Sequence, residues 1–363
     1  MPDSIDQSVG KRIAIVLFNL GGPDRPEAIR PFLLNLFRDP AILRVPFFVR
    51  PWLARRIARA RLAPATANYA LIGGRSPLLE ETQQQAKALE RELAAGPSGL
   101  MAKCFIAMRY WHPFSDEAAA AVCLWQPDQV VLLPLYPQYS TTTTGSSLTA
   151  WREAATQAGL AVPTSVLCCY FADDGYIRSI ARRLGDAYTS ARAKLPSDVK
   201  LRVLFSAHGL PETIIRRGDP YQFQIERSVA AVMCAWGAAD IDWAVCYQSR
   251  ATPQKWLEPS TDTEIERAAH DKVALLVVPI AFVSEHSETL VELDMEYRDL
   301  AERLGVPGYF RLPTPNADPN FIAAMADLVR ATLANGVGSC SYAGERACPN
   351  ALVACPLARP IAA

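Results

Sequence analysis

Long apolar segments are absent from this chain. No stretch approaches the roughly 18 uninterrupted apolar residues that a membrane-spanning helix requires, so the pattern excludes a helical membrane protein. The opening residues, MPDSIDQSVGKR, are polar and lack the apolar core of a secretory signal. We therefore expect a cytoplasmic protein.

An excess of charge of either sign is also lacking. Lysine and arginine together number 37, and so do aspartate and glutamate, which argues against a nucleic-acid partner held mainly through phosphate contacts. Charged residues make up only 20% of the chain and hydrophobic residues 50%, so the composition is that of a globular protein. A P-loop is missing as well, because no Gly-Lys-Ser/Thr follows the threonine-rich segment at 140–147.

Buried strands alternate with helical segments along most of the 363 residues. Leu201 to Ser206 and Val273 to Val283 are apolar runs typical of parallel strands that are covered on both faces. The spacing of apolar residues predicts helices at 221–236, 287–304 and 321–334. This alternation in both halves predicts an α/β fold with two doubly wound parallel sheets. The predicted parts are an N-terminal domain at 1–172, a C-terminal domain at 173–335 and a cysteine-rich tail at 336–363.

Histidine is scarce, with four in the whole chain, and two of the four follow predicted strands of the second domain. His208 comes just past one strand, beside Gly209, which allows a close backbone approach. His286 and Glu288 follow another. Ligands bind at the carboxyl ends of strands in open α/β sheets, so these side chains are candidates for holding a hard divalent cation or taking up protons. The alternative is a solvated acidic helix face that begins at Ser284.

Residues 43–62 form a basic and aromatic segment. They combine Phe47, Phe48 and Trp52 with six arginines. Such an amphipathic segment suits an anionic apolar ligand or a membrane surface. An ordinary helical hairpin with solvated arginines is the alternative.

Several short motifs, taken in their order and spacing, resemble the ferrochelatase family over nearly the whole chain. They are FNLGGP (18–23), IGGRSP (72–77), MRYWHPF (108–114), YPQYSTTTTGSS (136–147), SAHGLP (206–211), YQSRATPQKWLEP (247–259) and EHSETLVELD (285–294). The resemblance implies a lyase that inserts Fe²⁺ into protoporphyrin IX to form protohaem, the terminal step of haem biosynthesis. It also implies the class II chelatase fold. In that fold two Rossmann-like domains, each with a parallel sheet of four-stranded type flanked by helices, hold the porphyrin between them.

The resemblance also assigns roles to the polar residues of the second domain. It makes His208 and Glu288 the catalytic pair and the protein ligands of the Fe²⁺ substrate. His286, Glu292 and Glu296 then lie on a path for protons or metal. The three glutamates follow one another at i+4 steps, on a helix that the family widens locally.

Further positions match the family's porphyrin-binding residues. They are the apolar Leu20, Met108 and Trp256 and, near the propionates, Arg61, Tyr69 and Ser76. Leu20 stands where coproporphyrin-using relatives carry a tyrosine, which favours protoporphyrin as the substrate. The partners implied are protoporphyrin IX, Fe²⁺, the inner face of a membrane contacted peripherally through residues 43–62, and a second copy of the chain in a homodimer.

The tail adds a cofactor to what the resemblance implies. Some ferrochelatases hold a [2Fe–2S] cluster with three C-terminal cysteines and one internal cysteine. In this chain those ligands would be Cys340, Cys348 and Cys355 together with Cys169, or with its neighbour Cys168. The spacings of eight and seven residues are wider than in the animal enzymes, and zinc would satisfy the same four thiolates.

Two other classes of protein stay open as alternatives. A coproporphyrin III ferrochelatase or another class II tetrapyrrole chelatase would share the fold, but a chelatase for a hydrophilic tetrapyrrole would not need the aromatic side chains of residues 43–62. A non-catalytic porphyrin or haem-binding protein would bind the ring without inserting a metal.

Overall fold

The computed structural model describes residues 10–96, 100–250 and 254–358. The chain divides into two compact units. The first unit comprises the described residues up to Tyr170, the segment Asn316–Ala347 and the described residues from Pro356 to Ala358. The second unit comprises Phe171–Pro315 and the short segment Cys348–Cys355.

The described residues contain nine strands in two sheets. In chain order they are β1 (Arg12–Asn19), β2 (Met101–Met108), β3 (Gln129–Pro134), β4 (Thr164–Leu167), β5 (Leu201–His208), β6 (Trp243–Gln248), β7 (Ala274–Pro279), β8 (Tyr309–Arg311) and β9 (Gly338–Cys340). The first sheet has the order β2-β1-β3-β4-β9 and the second the order β6-β5-β7-β8. Every pairing between these strands is parallel, which confirms the predicted α/β class.

Helices connect the strands and cover the sheets. They are α1 (Ile29–Arg38), α2 (Arg50–Leu71), α3 (Leu78–Ala95), α4 (Ser115–Trp125), α5 (Thr144–Gln157), α6 (Asp174–Arg192), α7 (Glu212–Ile215), α8 (Tyr221–Trp236), α9 (Thr261–Asp271), α10 (Tyr297–Arg303) and α11 (Pro319–Ala334). Short 3₁₀ turns lie at Pro26–Ala28 and Pro356–Ala358, and a π-helix spans Glu288–Glu296. None of the helices in the described part of the chain combines the length and apolar character needed to cross a bilayer.

The strands form because apolar side chains on both of their faces are covered by helices. All six residues of β7 are buried, as are seven of the eight in β5. In the first unit Phe18 of β1 packs edge-on against Trp151 of α5. In the second unit Leu275 of β7 and Leu293 of the π-helix belong to one buried apolar cluster. The carboxyl ends of the strands are thereby fixed in place, together with the polar residues that follow them.

The division of the chain differs from the predicted domains. We expected residues 173–335 to form the second domain, but α11 belongs to the first unit, and so does β9. The reason is long-range packing: α11 contacts α3, and β9 extends the first sheet by pairing with β4. The first sheet consequently has five strands where a four-stranded type was expected. The predicted tail at 336–363 is not a separate part either, since it is divided between the two units.

Candidate active site

Two neighbouring strands of the second sheet bring the predicted iron-site residues to one edge. β5 and β7 pair in parallel from Leu201↔Ala274 to Ser206↔Pro279. His208 is the last residue of β5, whereas we expected it just beyond the strand. The chain leaving β7 passes through a buried loop into the π-helix, which begins at Glu288. The carboxyl end of the second sheet therefore carries both residues of the predicted pair.

His208 faces Glu288 directly. The imidazole Nε2 lies 3.6 Å from Glu288 Oε1, and about a third of each side chain remains exposed (36% and 32%). The other ring nitrogen, Nδ1, lies 2.7 Å from the carbonyl oxygen of Gly209. A carbonyl oxygen can only accept, so Nδ1 carries the proton, and Nε2 of the neutral ring keeps its lone pair. The pair thus presents a basic nitrogen and a carboxylate side by side to the same space.

His286 lies on the other side of Glu288. Its Nε2 is 3.9 Å from Glu288 Oε2, and its Nδ1 accepts a hydrogen bond of 3.1 Å from the Glu288 backbone N–H. Burial lowers the pKa of His286, against the opposing pull of Glu288 and Glu285. His286 is therefore held as a neutral ring whose Nε2–H points toward the carboxylate of the predicted pair.

Glu292 lies one turn further along the π-helix and is well bonded. Its Oε2 accepts hydrogen bonds from Ser249 Oγ at 2.5 Å and from Gln248 Nε2 at 3.0 Å. Burial, followed by the charge of Glu288, raises the pKa of Glu292, and the two hydrogen bonds only partly offset that rise. Glu296, at the last position of the π-helix, is exposed. The three glutamates of the predicted path thus occupy the start, middle and end of one π-helix.

An ion-pair network holds this π-helix against β8. Arg311 binds Asp294 through two hydrogen bonds of 2.7 and 2.6 Å, and its third nitrogen lies 3.0 Å from Glu285. Glu285 also accepts from Thr289 Oγ1 and from the Thr314 backbone N–H. Burial alone would raise the pKa of Glu285, but Arg311 and these hydrogen bonds bring it below its usual value. A buried charge network of this kind loses about 3–5 kcal/mol when one partner is removed.

Trp256 is the predicted porphyrin contact of the second unit. It is 8% exposed and forms an antiparallel bridge with Pro211 of the SAHGLP motif. A Cβ atom built on Gly209 would lie 2.8 Å from the carbonyl oxygen of Gln248 and 3.4 Å from the Trp256 ring. Glycine at 209 is therefore required by close packing, as the sequence suggested, and the Trp256 ring lies beside Gly209, the residue after His208.

The predicted porphyrin residues of the first unit gather where β1 and β2 end. Asn19, which precedes Leu20, pairs in register with Met108. Leu20 is half-buried, whereas Met108 is only 1% exposed. Tyr69 of α2 and Ser76 are both buried, and a Cβ atom on Gly22 would lie 2.5 Å from Ser76 Oγ and 3.9 Å from the Tyr69 hydroxyl. These side chains form one neighbourhood in the first unit.

Arg61 and the basic aromatic segment extend this picture along α2. Arg61 is exposed on that helix. Phe47, Phe48 and Trp52 are 79%, 71% and 60% exposed, and the Arg56 guanidinium lies 5.7 Å from the Trp52 ring. Residues 50–62 belong to the single helix α2, and four of its arginines are exposed, as in the alternative with solvated arginines: Arg55, Arg56, Arg59 and Arg61.

The five cysteines considered for a cluster are all buried and free of disulfides. Cys168 and Cys169 follow β4 with their sulfur atoms 3.3 Å apart, and the Cys168 N–H donates to the carbonyl of Cys340. Cys348 and Cys355 belong to the second unit, where Cys348 Sγ accepts from Gln224 Nε2 at 3.1 Å. Within the described ranges no three histidine, cysteine or acidic side chains are grouped as a metal site. Thiols are the donor type that an iron–sulfur cluster uses.

Two functional candidates escaped the sequence analysis. Gln248 and Ser249 bond the carboxylate of Glu292, yet the sequence marked them only as polar residues of a motif. The available signal was their position directly after an apolar strand, as for His208. Arg311 gave no signal, because its partners lie 17 and 26 residues away along the chain.

Comparison with known proteins agrees with this geometry. The family model described as Ferrochelatase matches residues 12–333. The chain belongs to the ferrochelatase family. It is 52% identical over 346 residues to the ferrochelatase of Caulobacter vibrioides, covering 95% of this chain and 97% of the relative. It is 48% identical to the ferrochelatase of Hyphomonas neptunium, covering 96% of each chain.

Solved structures with the same fold include two chelatases. SirB from Bacillus subtilis with Fe³⁺ gives a TM-score of 0.51 at 13% identity, covering 90% of this chain and 96% of the other. The sirohydrochlorin chelatase SirB from Bacillus subtilis subspecies spizizenii, in complex with cobalt, gives a TM-score of 0.50 with the same coverage. At this identity the likeness concerns the fold alone, and it confirms the class II chelatase architecture. Like the rest of its family, this protein is a lyase that inserts Fe²⁺ into protoporphyrin to form protohaem.

Proposed function

We propose that His208 and Glu288 carry out the iron insertion between them. Metallation must remove two pyrrole N–H protons while Fe²⁺ loses its water ligands. His208 Nε2 has the free lone pair that accepts a pyrrole proton. Glu288, 3.6 Å away, supplies the negative charge that attracts the incoming cation and stabilises the imidazolium formed.

The observation that carries this proposal is the orientation of His208. The hydrogen bond from Nδ1 to Gly209 fixes the tautomer, and the Glu288 carboxylate lies on the side of the ring that remains basic. Behind the pair, His286, Glu292 and Glu296 provide a path along which protons leave or metal enters. His286 contacts Glu288 directly, and the charge of Glu288 influences the carboxylate of Glu292.

Anaerobic assay of the purified protein with Fe²⁺ and protoporphyrin IX tests the function. We expect haem absorbance to rise well above a control without enzyme, and coproporphyrin III to be used less efficiently, because Leu20 replaces the tyrosine of coproporphyrin-using relatives. Absence of haem above that control, with tight porphyrin binding retained, would instead favour a non-catalytic binding protein. Preference for coproporphyrin III would overturn the substrate assignment.

In the first unit, we propose that Leu20 provides an apolar contact for the porphyrin and that Tyr69, Ser76 and Arg61 hold the propionates. Leu20 is half-buried, so part of its side chain is available to a ligand. Met108 is nearly inaccessible and acts by supporting Leu20, because its strand pairs with β1. Trp256 is the corresponding apolar contact of the second unit.

We further propose that Cys340, Cys348, Cys355 and Cys169 bind a [2Fe–2S] cluster, with Cys168 as the alternative internal ligand. The free thiols of these residues are the donor type that such a cluster uses. The cluster would supply structural cohesion, since Fe²⁺ insertion transfers no electron. Anaerobically purified protein should be coloured and contain two iron atoms and two sulfides per chain. A colourless sample containing zinc would assign the site to zinc, and a metal-free sample would reject it.

The exposed aromatic side chains of α2 and the loop before it support a peripheral membrane contact. We propose that this cytoplasmic enzyme docks on the inner face of the membrane through Phe47, Phe48 and Trp52, with neighbouring arginines meeting anionic headgroups. Flotation with phosphatidylglycerol vesicles should recover the wild type, but not a variant with these three residues changed to serine. Leu124→Ser, at an apolar residue 87% exposed on α4, is the matched control and should float like the wild type.

A homodimer is the remaining proposal from the family likeness. Sedimentation velocity on the purified protein tests it. A species of twice the chain mass of 39.7 kDa is expected, and a monomer at all concentrations would reject it.

A further inference from the structure

Gln248 occupies a central position beneath the candidate iron site. It is the last residue of β6, its side chain is 0% exposed, and it pairs in register with His208. Its backbone carbonyl accepts a 2.7 Å hydrogen bond from the N–H of Gly209. The main chain of Gln248 is thus bonded to the residue that follows the catalytic histidine and fixes its tautomer.

The side chain of Gln248 bonds the other half of the site. Its Nε2 donates to the backbone carbonyl of Glu288 at 3.1 Å and to Glu292 Oε2 at 3.0 Å. Both N–H bonds of the amide are therefore directed at the π-helix. A single buried side chain holds the first residue of this helix and a carboxylate one turn later.

The orientation of that amide is itself fixed. Ser206 Oγ donates to Gln248 Oε1 at 2.9 Å, so the oxygen of the amide faces β5 and the nitrogen faces the π-helix. Ser206 is 0% exposed and lies two residues before His208 on the same strand. The chain of contacts from Ser206 through Gln248 to Glu288 links β5, β6 and the π-helix.

We propose that Gln248 is a positioning residue for iron insertion, which sets the placement of Glu288 relative to His208. A helix with i→i+5 bonding is an uncommon and locally adjustable structure, so its first residue needs an external anchor. The side chains of Glu288 and His208 are only partly buried. The buried residues beneath them must therefore fix the distance between the two groups. Gln248 itself contacts neither substrate in this role.

Replacement by the similarly sized but apolar methionine removes both donors. For Gln248→Met we expect kcat to fall about 10- to 100-fold, which is the usual result of a small displacement of reacting groups. The KM for protoporphyrin and its dissociation constant, measured by fluorescence quenching, should stay within about twofold of the wild type, since no porphyrin contact changes. The matched control is Gln85→Met, at a 2% exposed glutamine of α3 in the first unit, and its kcat should be unchanged.

Other results would overturn the proposal. A wild-type kcat in Gln248→Met would do so, and so would equal losses of kcat, porphyrin affinity and melting temperature, which would indicate general structural damage. If Gln248→Met does not fold, Ser206→Ala decides the question, because it removes the hydrogen bond that orients the Gln248 amide and leaves the Gln248 side chain in place. Ser206→Ala should lower kcat by a smaller factor than the one expected for Gln248→Met, and porphyrin affinity should be unchanged. A wild-type kcat in Ser206→Ala would reject the role of Gln248.

This inference rests on the proposed roles of His208 and Glu288, and the two can fail separately. Activity in His208→Ala equal to the wild type would reject the proposed function itself. Loss of activity in His208→Ala together with a normal kcat in Gln248→Met would reject only the positioning role.

Discussion

The carboxyl ends of the two sheets carry different chemistry. In the second sheet the residues at and after the strand ends are imidazoles, carboxylates and the amides that bond them, namely His208, Gln248, His286, Glu288 and Glu292. In the first sheet the corresponding positions hold Leu20, Met108 and a serine- and threonine-rich loop after β3. Two similar parallel frameworks thus present imidazole and carboxylate groups in one unit and apolar and hydroxyl groups in the other.

This difference indicates a division of labour between the units. Variants at the carboxyl end of the second sheet should change the rate of metal insertion, because that end carries the His208–Glu288 pair. Variants at the carboxyl end of the first sheet should change porphyrin affinity. The predictions below separate kcat from KM for this reason.

The largest effect is expected for His208→Ala. Removing the basic Nε2 should lower kcat about 10²- to 10⁴-fold, the usual contribution of a general base. Protoporphyrin binding, followed by fluorescence quenching, should be nearly unchanged, because the imidazole that is removed pairs with Glu288 and is not one of the proposed porphyrin contacts. Retention of full activity would refute the role assigned to His208.

Substitutions at two glycines, one at the carboxyl end of each sheet, test the two sites against each other. Gly209→Ala places a Cβ atom 2.8 Å from the backbone carbonyl of Gln248, and Gly22→Ala places one 2.5 Å from the Ser76 side chain. Overpacking of this kind lowers the free energy of unfolding by about 1–3 kcal/mol, so both variants should have lower melting temperatures than the wild type. Gly209→Ala should also lower kcat, whereas Gly22→Ala should raise the KM for porphyrin. The reverse pattern would contradict the assignment of metal insertion to the second sheet and of porphyrin binding to the first.

Leu20→Ala tests the porphyrin contact at the carboxyl end of the first sheet, and its expected effect is smaller. The half-buried side chain should lose part of its contact with the porphyrin, which corresponds to a several-fold rise in KM at about 25 cal/mol per Å² of apolar surface. The kcat should stay within about twofold of the wild type. A large loss of kcat with unchanged KM would move Leu20 from substrate binding to the chemical step.

The smallest effect concerns stability in acid. The pKa of Glu285 is below its usual value in the folded protein, mainly because Arg311 outweighs burial. Its contribution to the free energy of unfolding is therefore complete above the unfolded pKa of about 4.3 and is lost as the pH falls through the lower folded value. Urea unfolding between pH 6 and pH 3 should show a weaker pH dependence for Glu285→Gln than for the wild type. Identical slopes would show that Glu285 is not the titrating group.

Much of this architecture could be predicted from the sequence, because it depends on local pattern. The amphipathic spacing predicted α8 at its observed bounds, and the apolar run predicted the end of β5 two residues before its observed end at His208. The widening of the helix at Glu288 came only from the family resemblance, since its residues have ordinary helical spacing.

The rest could not be predicted because it depends on distant contacts. β9 pairs with β4 across more than 160 residues, and no local signal distinguishes it from a loop. The same holds for Gln248, whose role follows from three partners on different elements. Arg311 is comparable, because its carboxylate partners become neighbours only when β8 joins the sheet beside β7.

A double-mutant cycle on His208 and Glu288 tests the central claim most directly. If the two side chains act as one unit, kcat of the double variant His208→Ala/Glu288→Gln should lie within about threefold of that of His208→Ala alone, because the second change removes a partner already lost. If the rate losses of the two single variants multiply in the double variant, the two residues act independently, and the paired site at the edge of the second sheet is wrong.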